Sequence, residues 1–331
     1  MTTPTAPTEK TFSSYTPSQG EAYAQTRPGY SPTLYKTILD QHTSTGGHLT
    51  TLLDVGCGPG TTAFQLASNF THVIGLDPSE GMITTARSLI PSSLPTNPNP
   101  KTKIETETKT KTIRFEISTA EDLGSHLDPP VEDESVDLIT ASTAAHWFNM
   151  SLFWPACARV LKPGGSVAIW SSGGVGIHPD VPNSEEMQKS MDAINERELA
   201  PFFERGNVMT RELYKDLVMP WMVEPRVRAF GDGEGEVFRK LYGAEQGNEG
   251  EYVRGGRLEM DLDVMEKVLA TGSPVQRWRE ANPEKVGTEE DVIRVMRREM
   301  ERLLHEAGVE KGKERVKGTI KAILLTFKKK A

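Results

Sequence analysis

Cysteine is scarce in this chain: 331 residues hold two, Cys57 and Cys157. They show none of the paired spacings of zinc sites or secreted disulfide frameworks, which excludes cross-links as the source of stability and leads one to expect a reducing compartment. A chain of this length can bury a core without staples. Long apolar runs are missing too. No segment approaches the roughly 20 apolar residues of a membrane span, and the opening MTTPTAPTEK has no basic stretch followed by an apolar one. A soluble, cytoplasmic protein is expected. Basic excess is also absent: 38 Lys and Arg against 46 Asp and Glu leave a net charge of -8, which disfavours a nucleic-acid partner because neutralising phosphates takes a basic face. The stretch from Lys311 to Lys330 runs against that balance and reads as a solvated helix and strand edge. The histidines other than His146 show no ligand spacing, so no metal is expected.

What is present is an alternation. After a Thr- and Pro-rich start, read as disordered over residues 1–14, short helices are predicted from Gly20 to Gln25 and from Pro32 to Asp40. Leu52 to Val55 reads as a buried strand, Thr61 to Ser68 as a helix, His72 to Leu76 as a second strand, and Ser79 caps a helix through Leu89. Two βα units in succession predict a parallel sheet covered on both faces. Residues 91–112, rich in Pro, Lys, Thr and Glu, read as a surface insertion. The pattern resumes with strands at Ile113 to Ile117 and Val136 to Ala141, a helix from Ser151 to Leu161, and a strand from Ser166 to Trp170. Residues 15–172 are thus the expected core, 173–318 a variable cap with helices at Glu185 to Glu198, Leu262 to Ala270 and Glu289 to His305, and 319–331 the last strand and tail.

The stretch "LLDVGCGPG", Leu52 to Gly60, ends a strand in closely spaced glycines ahead of a helix. Bare amides at a helix start favour an anionic group. Asp77, at the tip of the second strand, is placed to accept from a ribose diol, as the acid about 20 residues downstream does in dinucleotide sites. The dinucleotide fingerprint fails, however, because Thr61 stands where its third glycine belongs, and no Lys-Ser or Lys-Thr completes a phosphate loop. Asp54, two residues before Gly56, would repel a pyrophosphate and pair with an ammonium. A nucleoside carrying an amino acid meets these demands, which describes S-adenosyl-L-methionine.

The four stretches "LLDVGCGPG", "GLDPSEGM" (Gly75 to Met82), "STAEDL" (Ser118 to Leu123) and "RVLKPGG" (Arg159 to Gly165) closely resemble those of the class I methyltransferases of the type 11 group. "YAQTRPGYSPTLY", "ITASTAAHWFN" and "GSPVQRWRE" resemble the fungal branch that contains trans-aconitate methyltransferase. The resemblance implies an α/β fold with a Rossmann-like seven-stranded sheet, helices on both faces and an α-rich C-terminal cap. It also implies cofactor roles for Tyr23, Arg27, Gly56, Gly58, Asp77, Met82, Ala120 and Glu121, which Asp54 joins.

The sulfonium methyl of that cofactor is already activated, so alignment and exclusion of water are the main demands on the protein. His146, after the fourth strand, can orient or deprotonate the acceptor, and Trp147 can wall off the site. Arg277 and Arg279, with Arg205 and Arg211, are candidate carboxylate clamps. The expected activity is carboxyl O-methylation of a small trans-aconitate-like acid. O-, N- or C-methylation of a fungal secondary metabolite and a catalytically silent cofactor-binding regulator are the alternatives. The expected partner is a small-molecule acceptor, with the chain a monomer or homodimer.

Overall fold

The structure, a computed structural model, describes residues 11–27, 29–91, 111–256 and 258–330. The readings made for residues 1–10 and 92–110 lie outside the described residues. Two helices come first, α1 (Pro17–Thr26) and α2 (Pro32–Ser44), each opened by a hydroxyl cap, Thr16 and Ser31, with proline in the first turn. Then follow β1 (Thr51–Val55), α3 (Thr61–Leu66), β2 (His72–Asp77), α4 (Glu80–Ser88), β3 (Thr112–Ile117), β4 (Val136–Ser142), α5 (Met150–Val160) and β5 (Leu161–Ile177). The remainder comprises α6 (Ser184–Ile194), α7 (Arg205–Arg211), β6 (Phe238–Tyr242), β7 (Leu258–Asp261), α8 (Leu262–Ala270), α9 (Ser273–Ala281), α10 (Val292–Glu306) and β8 (Arg315–Lys328).

Strand alternation decides the layers. Leu52, Leu138, Ala168 and Trp170 point to one face and pack with Leu34, Ile38, Leu66 and Ile83 of α2, α3 and α4. Their neighbours Leu53, Val55, Ile139, Val167 and Ile169 point to the other face and pack with Phe153, Trp154 and Cys157 of α5. Each such aliphatic or aromatic side chain stabilises the fold by roughly 1.5–3 kcal/mol when fully buried.

The sheet runs in the order β3-β2-β1-β4-β5-β8-β6, seven strands as expected, and β7 adds an eighth by pairing with the far end of β8. Pairs from β3 to β5 are parallel, whereas those of β8 are antiparallel. Strand order reverses at β1, which has β2 on one side and β4 on the other. Ligands of open α/β sheets bind at the carboxyl ends of strands flanking such a reversal.

Beyond Trp170 the structure is more regular than the sequence pattern predicts. β5 continues to Ile177, paired with β8 as far as Gly318. Phe238–Tyr242, inside the stretch read as cap, is the sheet's edge strand β6. Gly173, Gly174 and Gly176 hide the extension of β5, and Arg239 and Lys240 make β6 look like a loop, although charge is what an edge strand needs. The helices of this region have a core of their own, in which Met187, Met191 and Ile194 form the predicted stripe and meet Met265, Trp278 and Met296. Among the described residues no helix is long and apolar enough to cross a membrane.

Candidate functional site

A cavity of about 1510 Å³ opens beside the strand reversal, between the loops after β1, β2 and β4 and the helices that follow β5. One small-molecule ligand needs roughly 300–1,000 Å³, so this space accommodates two.

The end over the sheet is made largely of backbone. Gly56, Gly58 and Gly60 have φ of +63°, +54° and +86°, a region glycine enters without a Cβ penalty. At Gly56 a Cβ would sit 2.6 Å from the Ala144 Cβ, so the loop after β4 packs against bare backbone. At Gly58 a Cβ would meet nothing within 4 Å, and this residue borders the cavity. Asp77 pins the loop: its Oδ2 accepts from the Gly58 amide at 2.9 Å and its Oδ1 from the Ser79 amide at 2.9 Å. Asp77 also lines the cavity. Met82, Ala120 and Glu121 line the same end, and Glu121 Oε1 accepts from the Asn149 amide at 2.7 Å, which anchors the start of α5. Tyr23 and Arg27 reach the cavity from α1 and the residue after it, with the Arg27 guanidinium 5.2 Å from the centre of the Tyr23 ring. Arg27 also donates to the Thr271 carbonyl at 3.4 Å, which ties this segment to the cap.

Asp54 departs from the sequence reading. It is 1% exposed and does not line the cavity; its Oδ1 accepts from the Thr140 hydroxyl at 2.7 Å. Burial pushes its carboxyl up to about 7, and Asp77 pushes in the same direction, against the Thr140 hydroxyl and the Ala63 amide. A partly protonated acid under the loop is no direct partner for a ligand ammonium. The strand's pleat turns Asp54 toward β4 and away from the crevice.

His146 and Trp147 lie in a helical turn, Ala145–Trp147, after β4, and both line the cavity. His146 Nδ1 is 3.0 Å from the Tyr214 hydroxyl, and Nε2 has no partner among the described residues. Burial lowers the imidazole to about 3, so the ring is neutral at physiological pH. The Trp147 ring lies 4.7 Å from that of His146, tilted by 54°, and is covered by α7, where a Cβ on Gly206 would come within 2.5 Å of it. Three residues here carry positive φ without being glycine: Thr143 at +50°, Leu213 at +53° and Tyr214 at +58°. Such backbone is strained by about 1–3 kcal/mol each and gathers at functional sites. Thr143 Oγ1 is held at 2.9 Å by the Tyr30 hydroxyl, to which Ser142 donates at 2.8 Å. Tyr30 and Tyr214 escaped the sequence analysis. Tyr30 sits in the quoted segment before β1, so a signal existed, whereas nothing near Tyr214 distinguishes it from a core tyrosine.

Arg277 and Arg279, predicted to clamp a substrate, do not line the cavity. Arg277 donates to the Phe202 carbonyl at 2.9 Å, the Thr11 hydroxyl at 3.0 Å and Asn207 Oδ1 at 2.5 Å. Arg279 makes a forked pair with Asp291 at 3.0 and 3.3 Å. Both guanidiniums are spent on joining cap segments. Of the two other arginines considered, Arg211 lines the cavity, 4.0 Å from the Phe203 ring, with no carboxylate at ion-pair distance among the described residues. A group of three possible metal ligands also exists where none was expected from spacing: Glu301, His305 and Glu314, within 4.8 Å of one another. It lies outside the cavity lining, and His305 is already bonded to Glu314 at 2.7 Å.

Comparison with known proteins agrees with this geometry. Residues 53–169 match the family described as a methyltransferase domain. A Dictyostelium discoideum protein assigned to the methyltransferases is 35% identical over 173 residues, covering 52% of this chain and 54% of that protein. The Saccharomyces cerevisiae protein CRG1, assigned as an S-adenosylmethionine-dependent methyltransferase, is 31% identical over 148 residues, covering 45% of this chain and 43% of its own. The chain spans about half the length of these relatives. Among solved structures, a protein of Anaeromyxobacter dehalogenans assigned as a type II methyltransferase shares the fold, with 20% identity, a TM-score of 0.57, and coverage of 91% of this chain and 97% of that one. The glycine loop at the strand reversal and the acid ending β2 both fall within residues 53–169, and that stretch is a domain of the methyltransferase family.

Proposed function

We propose that this protein transfers a methyl group from S-adenosylmethionine to a carboxylate oxygen of a small acidic molecule held under the cap. The sheet end of the cavity fits the cofactor: Gly58 offers bare backbone facing open space, and the Asp77 carboxylate lies beside it in the lining, where a ribose diol would reach it. Tyr23, Arg27, Met82, Ala120 and Glu121 complete the same end. When bound, the cofactor supplies an activated methyl; the acceptor oxygen forms the new C–O bond as the C–S bond breaks, and no proton has to leave a carboxylate.

What supports the acceptor class is His146 itself, which lines the cavity, is held at Nδ1 3.0 Å from the Tyr214 hydroxyl, and is buried, so its basicity is low. An imidazole lowered to about 3 is badly matched to removing a proton from a phenol or alcohol near pH 7. A carboxylic acid, with a reference pKa of about 4, is ionised there without help. We take Tyr214 as the donor to Nδ1, which puts the imidazole proton on Nε2, where it can orient an anionic oxygen. Arg211 adds a cation on the helix that covers Trp147. We assign the helices within residues 173–318 to the acceptor cap.

Incubation with methyl-labelled cofactor and a panel of carboxylic acids, followed by mild alkali, separates the readings. Label released as methanol is expected, with kcat/KM flat between about pH 6 and 9, because neither the acceptor nor His146 titrates there. Alkali-stable product whose rate rises with pH would replace this reading with phenol or amine methylation.

A further inference from the structure

The cap end of the cavity says more about the acceptor than its charge. Its wall includes Met191 of α6, Met265 of α8, and Met296 and Met300 of α10, joined by Val268 and Ile293. All four methionines are at most 5% exposed, yet each borders the cavity. Unbranched thioether side chains from three helices make an apolar wall that repacks around differently shaped ligands.

The charges around this lobe argue against a polyanion. Lys317 and Lys321 line it, but they pair with Asp180 at 2.7 Å and Glu245 at 2.6 Å. Asp192 and Glu196 line it as well and interact electrostatically with Arg211. A compact tricarboxylate would meet one cation already offset by two carboxylates, and a wall of methionines. An acid with a single carboxylate and an extended apolar body would place its head by His146 and bury its body against that wall.

Resting on the reading of the acceptor as a carboxylate, we propose that the substrate is an amphiphilic monocarboxylate whose apolar body fills the methionine-walled lobe beneath α6, α8 and α10.

The experiment is calorimetric titration of the protein saturated with S-adenosylhomocysteine, using hexanoate, decanoate and trans-aconitate below any micelle threshold. This measures binding without turnover. Each buried methylene is worth roughly fourfold in affinity, so decanoate should bind at least about tenfold more tightly than hexanoate. It should also bind more tightly than trans-aconitate. Met296→Lys should abolish the gain from chain length, with unchanged S-adenosylhomocysteine affinity as the control for folding. Met265→Trp, which narrows the lobe without adding charge, should weaken decanoate and leave hexanoate alone. Tighter binding of trans-aconitate, or affinity independent of chain length, would overturn the proposal. Tight decanoate binding with no alkali-labile methyl ester formed would support the lobe while overturning carboxyl methylation.

Discussion

At the sheet end of the cavity the bare backbone comes from one contiguous loop, Gly56 to Pro59, pinned by Asp77 at the tip of the neighbouring strand. At the cap end the lining comes from side chains scattered from Met191 to Met300 on three helices. The first is a backbone device: φ angles open to glycine, and amides fixed by a carboxylate. The second is a packing device, in which each methionine serves both the cap's core and the cavity wall. A backbone device tolerates almost no change of residue type, whereas a packing device tolerates many and shifts its preference instead.

That contrast can be broken most sharply at Gly56. Gly56→Ala forces a Cβ to 2.6 Å from Ala144 at a φ of +63°, and a misplaced loop should cost at least about 100-fold in kcat/KM. Circular dichroism would show whether the rest of the fold survives. Asp77→Ala comes next. Loss of charge-assisted bonds to the Gly58 and Ser79 amides should weaken S-adenosylhomocysteine by roughly 10–100-fold in a calorimetric titration. The cap should respond differently. Arg279→Ala leaves Asp291, 1% exposed, without its cation, and should lower unfolding stability by about 2 kcal/mol while cofactor affinity stays unchanged.

Titration gives a finer probe. The folded His146 lies at about 3, below its ordinary 6.5, so its contribution to stability is present above pH 6.5 and is lost as pH falls toward 3. Relative to His146→Phe, the native protein should lose about 1.4 kcal/mol per pH unit over that window, measured by chemical unfolding. Asp54 runs the other way. Raised from 3.8 to about 7, it favours folding at low pH and loses that contribution as pH climbs through 7, so Asp54→Asn should flatten the rise-side decline. The smallest effect is expected for Tyr214→Phe, which leaves His146 Nδ1 buried and unpaired at a cost of about 1 kcal/mol. A fall in kcat with an unchanged KM for the cofactor would place Tyr214 behind His146 as a positioning residue.

Legibility followed the same division. Gly56 to Pro59 and Asp77 could be placed at the cavity because each sits at a fixed offset from a strand end, whereas Met82 and Glu121 were pointed out by the family resemblance alone. Asp54 was read at the right place with the wrong outlook: spacing puts it before the loop, but only the pleat and the neighbouring Thr140 decide which way its carboxylate faces. Arg277 and Arg279 show the limit in the cap. Their sequence neighbourhood suggested a clamp, yet Thr11, Asn207 and Asp291 claim them from distant parts of the chain.

By itself the sequence determined the alternating sheet, its reversal point and the glycine loop beside it, because these depend on local conformation and on periodic burial, which neighbouring residues set. Tertiary structure alone decided the extension of β5, the edge strand β6, the pairing of His146 with Tyr214 and the methionine wall. Those features join segments far apart in the chain, and which side chains meet there depends on how the helices pack, a many-body outcome that no local pattern encodes.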